Sequence, residues 1–176
     1  GGYAAEAITA VDNVYEIPAS MDYVTAAAFP VVYGTSHMGL KEKLRLQSGE
    51  TLLVHGAAGG VGLTAVELGK LLGATVIATA GNPEKLLVAK QWGADHLIDY
   101  RNEDIRARVK EITDGRGADA VYDPVGGSAF EASLRSTVQR GRILVVGFAS
   151  GEVPQIPANI LLVKNISVIG YYWGAH

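Results

Sequence analysis

Short apolar runs alternate with helical segments along most of the chain. Runs such as LLV, TVIAT and ILVVG lack polar alternation, which is typical of strands covered on both faces. Strand–helix alternation of this kind favours a parallel, doubly wound α/β sheet with right-handed crossovers. The predicted strands cover residues 51–55, 75–79, 96–99, 119–123, 142–147 and 167–171, and the predicted helices cover residues 60–72, 83–91, 103–113 and 128–138.

The first 50 residues follow a different pattern. Alternating runs at residues 3–10 and 14–17 predict strand pieces, but they have no obvious partner strands within reach. A helical segment follows, for which Ser20 is the predicted N-cap and Pro30 a predicted kink or break. A helix would normally cover the last predicted strand, which ends a few residues before the chain does. We therefore expect the chain to be shortened at both ends.

A glycine-rich turn, HGAAGGVG, joins the first regular strand to its helix. Ala57 replaces the first glycine of the usual GxGxxG pattern, so the loop fits better as Gly56-x-x-Gly59-x-x-Gly62. Small residues let the backbone approach a diphosphate, and the free amides of the helix N-terminus attract anions. A tight strand–helix turn without a ligand is the alternative. The context favours a six-stranded Rossmann fold, in the order 3-2-1-4-5-6, that binds a dinucleotide; the predicted contacts here are Ala58, Gly59, Gly60, Val61 and Gly62.

The end of the second strand, TAGNPEK, indicates which dinucleotide is bound. An NAD site usually has an acid here to accept hydrogen bonds from the ribose hydroxyl groups, and this sequence has none at the strand tip. Gly81 and Asn82 leave space and supply donors, and Lys85 can meet a 2′-phosphate. Glu84 is weak evidence for NADH, and Lys85 could be an ordinary surface lysine. The missing acid favours NADPH over NADH.

Three further loops end predicted strands at the same edge of the sheet. Tyr100 ends the third strand and could stack near the adenosine phosphate, although a half-packed loop tyrosine is the alternative. The loops after the fourth and fifth strands should line the nicotinamide half, because ligands bind where the strand order reverses; their predicted contacts are Val125, Gly147, Phe148 and Ala149. The sequence assigns no catalytic residue. His37 and His55 are interpreted as structural.

Composition excludes several classes of protein. The chain has 176 residues, 48% of them hydrophobic, and a net charge of −3 with scattered cations, so no nucleic-acid surface is indicated. Its apolar runs are too short for a transmembrane span. The absence of cysteine excludes disulfides and any zinc site made from this chain's thiolates. We expect no metal, no membrane association and a cytoplasmic location.

Seven motifs in order resemble zinc-independent NADPH:quinone oxidoreductases of the zeta-crystallin type, in the medium-chain dehydrogenase/reductase superfamily. They are YGTSHMGL, HGAAGGVGL, VIATAGNPEK, GADHLIDYRNED, DPVGG, GRILVVGFASG and NISVIGYYWG. The resemblance implies a GroES-like catalytic domain with a Rossmann domain inserted in it. Residues 1–18 would be the tail of the GroES-like domain and residues 19–176 the Rossmann domain, without its C-terminal return segment.

The resemblance also implies roles for individual residues. Thr35 matches a threonine near the nicotinamide, and Lys85 and Tyr100 match contacts to the 2′-phosphate. Gly147 and Phe148 match the loop beside the nicotinamide ribose. Val31 occupies the place of a cysteine zinc ligand in alcohol dehydrogenases, which agrees with the zinc-free branch.

The implied activity is hydride transfer from NADPH to a quinone or an enone, although the isolated domain is expected to be inactive. An enoyl reductase module of a fatty-acid or polyketide synthase, and a non-catalytic NADPH-binding protein, are the alternatives. The resemblance implies a homodimer that pairs through the last Rossmann strand, a long apolar edge. A monomer whose edge is covered by the missing C-terminal segment is the alternative.

Overall fold

The computed structural model describes residues 3–175, and within this range it contains one parallel six-stranded sheet. Its order is β3-β2-β1-β4-β5-β6, which confirms the predicted Rossmann topology. The strands are β1 (Thr51–Val54), β2 (Thr75–Ala80), β3 (His96–Asp99), β4 (Ala118–Asp123), β5 (Thr137–Val145) and β6 (Ser167–Gly170). The strand order reverses between β1 and β4, so the ligand-binding crevice of such a fold is expected at their carboxyl ends.

Six α-helices flank the sheet in the described range. They are α1 (Tyr23–Met38), α2 (Gly60–Leu71), α3 (Pro83–Gln91), α4 (Ile105–Ile112), α5 (Gly127–Ser136) and α6 (Ala158–Lys164). A π-helical turn (Gly39–Lys43) follows α1, and short 3₁₀ turns lie at Val11–Asn13 and Trp173–Ala175.

Both faces of the sheet are buried, which explains why the strands lack polar alternation. Because successive side chains point to opposite faces, Leu52 and Val54 pack with Tyr122 on one side. Leu53 joins Ile77 and Phe130 on the other. These side chains are fully shielded from solvent, and the two layers hold the carboxyl ends of β1, β2 and β4 rigidly side by side.

The strand pieces predicted near the N-terminus are wrong. Residues 3–18 contain a 3₁₀ turn at Val11–Asn13 and no strand. An extended segment becomes a strand only when a neighbour pairs with its backbone groups, and the six described strands are far along the chain. The side chains of Tyr3, Ile8 and Tyr15 are more than 80% exposed, so this segment does not pack on the core.

The start and the continuity of α1 also differ from prediction. Its N-cap is Asp22, not Ser20, because the Asp22 carboxylate accepts from the Val24 and Thr25 amides at 2.9 Å. Pro30 does not break the helix. It removes one backbone donor, while the second half of α1 is held by burial of residues such as Ser36.

The region after α5 departs most from the predicted elements. Helix α5 ends at Ser136 and β5 begins at Thr137, five residues earlier than predicted, with a register shift against β4 and a positive φ at Arg140. The register shift lets β5 start before its regular pairing with β4 begins.

The segment after β5 contains a helix that the sequence pattern did not indicate. Helix α6 was not predicted, because its short apolar run ILLV is too brief to distinguish a helix from a strand.

Candidate cofactor-binding cleft

A cleft of about 320 Å³ lies at the carboxyl ends of β1, β2 and β4. It collects residues from five separate parts of the chain: the glycine loop, the end of β2 with the start of α3, the end of β3, the loop after β4 and the loop after β5. Nine of the predicted site residues line it, namely Ala58, Gly59, Val61, Gly62, Gly81, Lys85, Tyr100, Val125 and Ala149; its other lining residues are Gly56, Ala80 and Pro124.

The glycine loop turns sharply between β1 and α2. Gly56 has φ +57°, a left-handed conformation that glycine adopts without strain. The Gly59 amide donates to the Gly56 carbonyl at 2.9 Å, and Gly59 is then the N-cap of α2. A β-carbon on Gly62 would overlap the Gly56 carbonyl oxygen and approach the Ala57 Cα within 2.9 Å. The loop therefore needs glycine at position 62, and it opens a 12-residue helix towards the cleft.

The side of the cleft at the end of β2 is formed by Ala80, Gly81, Lys85 and Tyr100. A β-carbon on Gly81 would lie 2.6 Å from the Tyr100 hydroxyl oxygen. Gly81 is buried whereas Tyr100 is half exposed, so the Tyr100 ring lies between Gly81 and the solvent. Among the described residues, no carboxylate lines this cleft.

The acids nearest in sequence to Tyr100 shape its turn. The Asp99 carboxylate accepts from the Arg101 amide at 3.1 Å and from the Asn102 side-chain amide at 2.8 Å. The Glu103 carboxylate accepts from the Asp99 amide at 2.8 Å. These bonds hold the chain turned back after β3, so that Tyr100 faces Gly81.

Five predicted site residues are absent from the lining of the cleft: Thr35, Gly60, Asn82, Gly147 and Phe148. The Thr35 hydroxyl is buried and donates to the Val31 carbonyl within α1 at 2.5 Å. Asn82 is the N-cap of α3, and its side-chain oxygen accepts from the Lys85 amide at 2.8 Å.

The other three lie close to the cleft without lining it. Gly60 faces α1, since a β-carbon there would come within 3.0 Å of the Val32 side chain. Gly147 and Phe148 precede Ala149, which does line the cleft, and Phe148 is 44% exposed. Direct cofactor contacts by these five residues stay predictions.

The loop after β4 is shaped by Asp123. Its carboxylate oxygen Oδ1 accepts from the Val125 amide at 2.8 Å and from the Gly126 amide at 3.0 Å. This turn places Pro124 and Val125 against the cleft. The DPVGG motif indicated the loop, but the sequence did not indicate that its aspartate would be buried and used as a turn cap.

A second cavity, of about 520 Å³, adjoins the first and shares Gly56, Tyr100, Val125 and Ala149 with it. It extends between α4 and α5 towards Ile105 and Ser128. The two spaces adjoin near the β1–β4 switch point, and the second, unlike the first, is also lined by the acidic residues Glu103 and Asp104.

Comparisons with known proteins place the chain in a family. Residues 60–176 match the family model described as zinc-binding dehydrogenase. The chain belongs to this family. The match begins at the glycine loop and includes α2 through β6.

Individual members and solved structures agree with the predicted resemblance to quinone oxidoreductases. The quinone oxidoreductase-like protein 2 homolog of Nematostella vectensis is 49% identical over 100% of this chain and 48% of its own length. The crystal structure of Escherichia coli quinone oxidoreductase complexed with NADPH superposes with a TM-score of 0.85 at 36% identity, over 90% of this chain and 49% of that one. The chain thus spans about half the length of these two proteins.

A match of another kind comes from a much larger protein. Highly reducing polyketide synthase 40 of Fusarium mangiferae is 37% identical over 81% of this chain and 6% of its own length.

The family description mentions zinc, a metal that proteins bind through sets of Cys, His, Asp or Glu side chains. The chain has no cysteine. Over residues 3–175, no group of three His, Asp or Glu side chains is placed to hold a metal ion. In the same range, no helix combines the length and the apolarity needed to cross a membrane.

Proposed function

We propose that the chain is the NADPH-binding domain of an oxidoreductase whose complete protein transfers hydride to quinones or enones. NADPH supplies the hydride, and the protein supplies binding, orientation and a site protected from water. The observation that carries this proposal is the cleft itself. It combines a glycine loop that opens a helix with a side, formed at the ends of β2 and β3, that has Lys85 and Tyr100 but no acid.

We assign roles to the site residues from their positions around the cleft. The amides of Gly59, Gly60, Val61 and Gly62 at the start of α2 would bind the diphosphate. Gly81, Lys85 and Tyr100, with Asn82 shaping the turn, would surround the adenosine 2′-phosphate.

The nicotinamide half would lie towards the loops after β4 and β5. Val125 and Ala149 line the cleft there, and Gly147 and Phe148 are adjacent. Thr35 would contribute through the position of α1 rather than through a free hydroxyl, since its hydroxyl already donates to Val31. No described residue is assigned an acid or base role.

An enoyl reductase module is the second candidate. It is supported by the match to the polyketide synthase and by a TM-score of 0.84, at 28% identity, with a structure described as CurK enoyl reductase. Both activities place hydride on an electrophilic alkene or its quinone equivalent, so the same cofactor cleft serves either one.

Three further features of the whole protein belong to this proposal. Residues 1–18 are the end of a GroES-like domain, a role supported by apolar side chains such as Tyr3 and Ile8 that find no partner in residues 3–175. The domain contributes no zinc ligand, as its lack of cysteine suggests. Strand β6 pairs two copies in a homodimer, since it is an edge of the sheet.

Calorimetric titration of the chain with NADPH and with NADH tests the cofactor assignment. NADPH is expected to bind more tightly, and Lys85→Ala should reduce that preference. Lys90→Ala is the matched control, because Lys90 is also exposed on α3 but does not line the cleft. Equal affinity for both nucleotides would contradict the 2′-phosphate assignment.

An assay of the complete protein decides between the two candidate activities. It would be supplied with NADPH and, in parallel, with a quinone, a simple enone and an enoyl thioester. Faster reduction of the quinone or enone supports the first candidate, and faster reduction of the thioester supports the second. No turnover of any of the three, despite tight NADPH binding, would favour a non-catalytic binding protein.

A further inference from the structure

His55 is a fully buried histidine immediately before the glycine loop. It follows the last residue of β1, and its ring has no exposed surface. Its backbone amide donates to the Tyr122 carbonyl of β4 at 3.1 Å. The next residue is Gly56, where the chain turns with positive φ. Any movement of His55 would therefore be passed directly to the loop.

Both ring nitrogens of His55 have a hydroxyl partner. Nδ1 lies 3.0 Å from the Thr79 hydroxyl of β2. Nε2 lies 2.7 Å from the Ser133 hydroxyl of α5. The ring thus connects β1 with a neighbouring strand and with the helix that covers this face of the sheet.

The position of the ring proton follows from the donors available. A serine hydroxyl has one proton, and Ser133 donates it to the Ala129 carbonyl at 2.9 Å. With that proton placed on the Ala129 carbonyl, the Ser133 oxygen is the acceptor in its 2.7 Å contact with His55, and we assign the hydrogen to Nε2. Nδ1 is left as an acceptor, and the Thr79 hydroxyl donates to it. This assignment satisfies every member of the chain of hydrogen bonds.

Thr79 links His55 to the glycine loop through two hydrogen bonds. While its side chain donates to His55, its backbone carbonyl accepts from the Ala57 amide at 3.0 Å. The loop is therefore held at two consecutive residues. Gly56 is bonded covalently to His55, and Ala57 is hydrogen-bonded to the residue that His55 orients.

The buried charge facing His55 is Asp123, at the end of the adjacent strand β4. Its Oδ1 caps the turn at Val125 and Gly126, and its Oδ2 is buried without a hydrogen-bond partner. Burial lowers the pKa of His55, and the Asp123 carboxylate opposes that effect. Burial thus favours the neutral ring, in which one nitrogen donates and the other accepts.

We propose that His55, as the neutral Nε2–H tautomer, is a positioning residue that fixes the geometry of the glycine loop through Thr79 and Ser133. Its importance for cofactor affinity rests on the proposed function, whereas its control of the loop is a property of the ligand-free chain. The two can therefore be tested separately.

The first measurement uses the ligand-free chain. Nitrogen-15 NMR at neutral pH should show His55 with a protonated Nε2 and an unprotonated Nδ1, and His55→Gln identifies the signal by its loss. Thr79→Val and Ser133→Ala should each shift the amide resonances of Ala57 and Gly59. An Nδ1–H tautomer, or unchanged loop amides in both variants, would overturn the proposal.

The second measurement is NADPH affinity. Thr79→Val and Ser133→Ala are each expected to weaken binding by about three- to tenfold, the effect of one lost hydrogen bond. Ile77→Val is the matched control, since Ile77 is buried on the same strand face as Thr79 but belongs to the apolar core. An equal loss of affinity in Ile77→Val, at an equal loss of melting temperature, would show that these residues act only through stability. If the unaltered chain binds no NADPH, the proposed function fails, and the NMR result still decides the role of His55.

Discussion

The Tyr100 hydroxyl oxygen lies 2.6 Å from the point where a side chain on Gly81 would begin. Glycine at the end of β2 and tyrosine at the end of β3 are therefore one structural unit. In an NAD site the end of β2 usually supplies the acid that holds the ribose hydroxyl groups. Here, the ring of Tyr100 occupies the space that such a side chain needs.

Replacing Gly81 with aspartate should not by itself convert the site to NADH. We expect Gly81→Asp to weaken NADPH binding by at least about tenfold, through both collision with Tyr100 and repulsion of the 2′-phosphate. The double variant Gly81→Asp, Tyr100→Ala should gain affinity for NADH, because the ring no longer blocks the new carboxylate. Calorimetry with both nucleotides measures the change.

Gly81→Ala separates the two effects, since it adds the collision without the charge. If Gly81→Ala binds NADPH as tightly as the unaltered chain, Tyr100 moves aside easily, and the steric part of this explanation is wrong.

Gly62→Ala tests the close packing of the glycine loop. The added methyl group would overlap the Gly56 carbonyl, so we expect a loss of about 1–3 kcal/mol in the free energy of unfolding and a marked loss of NADPH affinity. Chemical denaturation and calorimetry measure the two quantities. Gly170→Ala is the control, because no atom lies within 4 Å of the added carbon. If both variants are equally stable, the loop is less tightly packed than the structure indicates.

The contribution of Lys85 should depend on ionic strength. Lys85 is exposed, and its interaction with a 2′-phosphate would be partly screened by salt. We expect Lys85→Gln to lose about tenfold in NADPH affinity at low salt and clearly less near 1 M salt. Fluorescence titration over a range of salt concentrations measures this effect. NADH is the control ligand: it lacks the 2′-phosphate, so its affinity should be nearly unchanged by Lys85→Gln. An unchanged salt dependence in the variant would place the phosphate elsewhere.

Stability should fall in acid because of His55. Burial lowers the pKa of His55 in the folded chain, whereas the unfolded chain takes up the proton near pH 6.5. Above that pH both states are neutral, and below it only the unfolded state binds a proton. The free energy of unfolding should therefore decrease by about 1.4 kcal/mol per pH unit below 6.5, until the folded pKa is reached. Denaturation curves between pH 4.5 and 7.5 measure the slope.

His55→Gln is the control for this pH dependence, since it removes the titrating ring. The variant should be less stable at neutral pH and have a shallower slope below pH 6.5. If the slope is the same in both proteins, another group is responsible for the loss.

The sheet order and the glycine loop could be derived from local patterns. Buried parallel strands are recognisable because both faces are covered, and Gly59 and Gly62 mark a turn that few other residues permit. The N-terminal strand pieces could not be judged in this way, because alternation in a sequence does not show whether a partner strand exists. The sequence also did not show that Asn82 caps α3 and that the Thr35 hydroxyl bonds within α1, because these contacts depend on the local hydrogen-bond geometry.

By itself, the sequence determined the α/β class, the order of the strands and the position of the anion-binding turn, because these depend on periodicity and on residues with unusual backbone freedom. Tertiary structure decided that Tyr100 covers Gly81 and that His55 joins Thr79 and Ser133 beneath the loop. Such contacts join residues more than 15 positions apart. They depend on how strands and helices pack, and local sequence does not encode which distant hydroxyl a buried ring will meet.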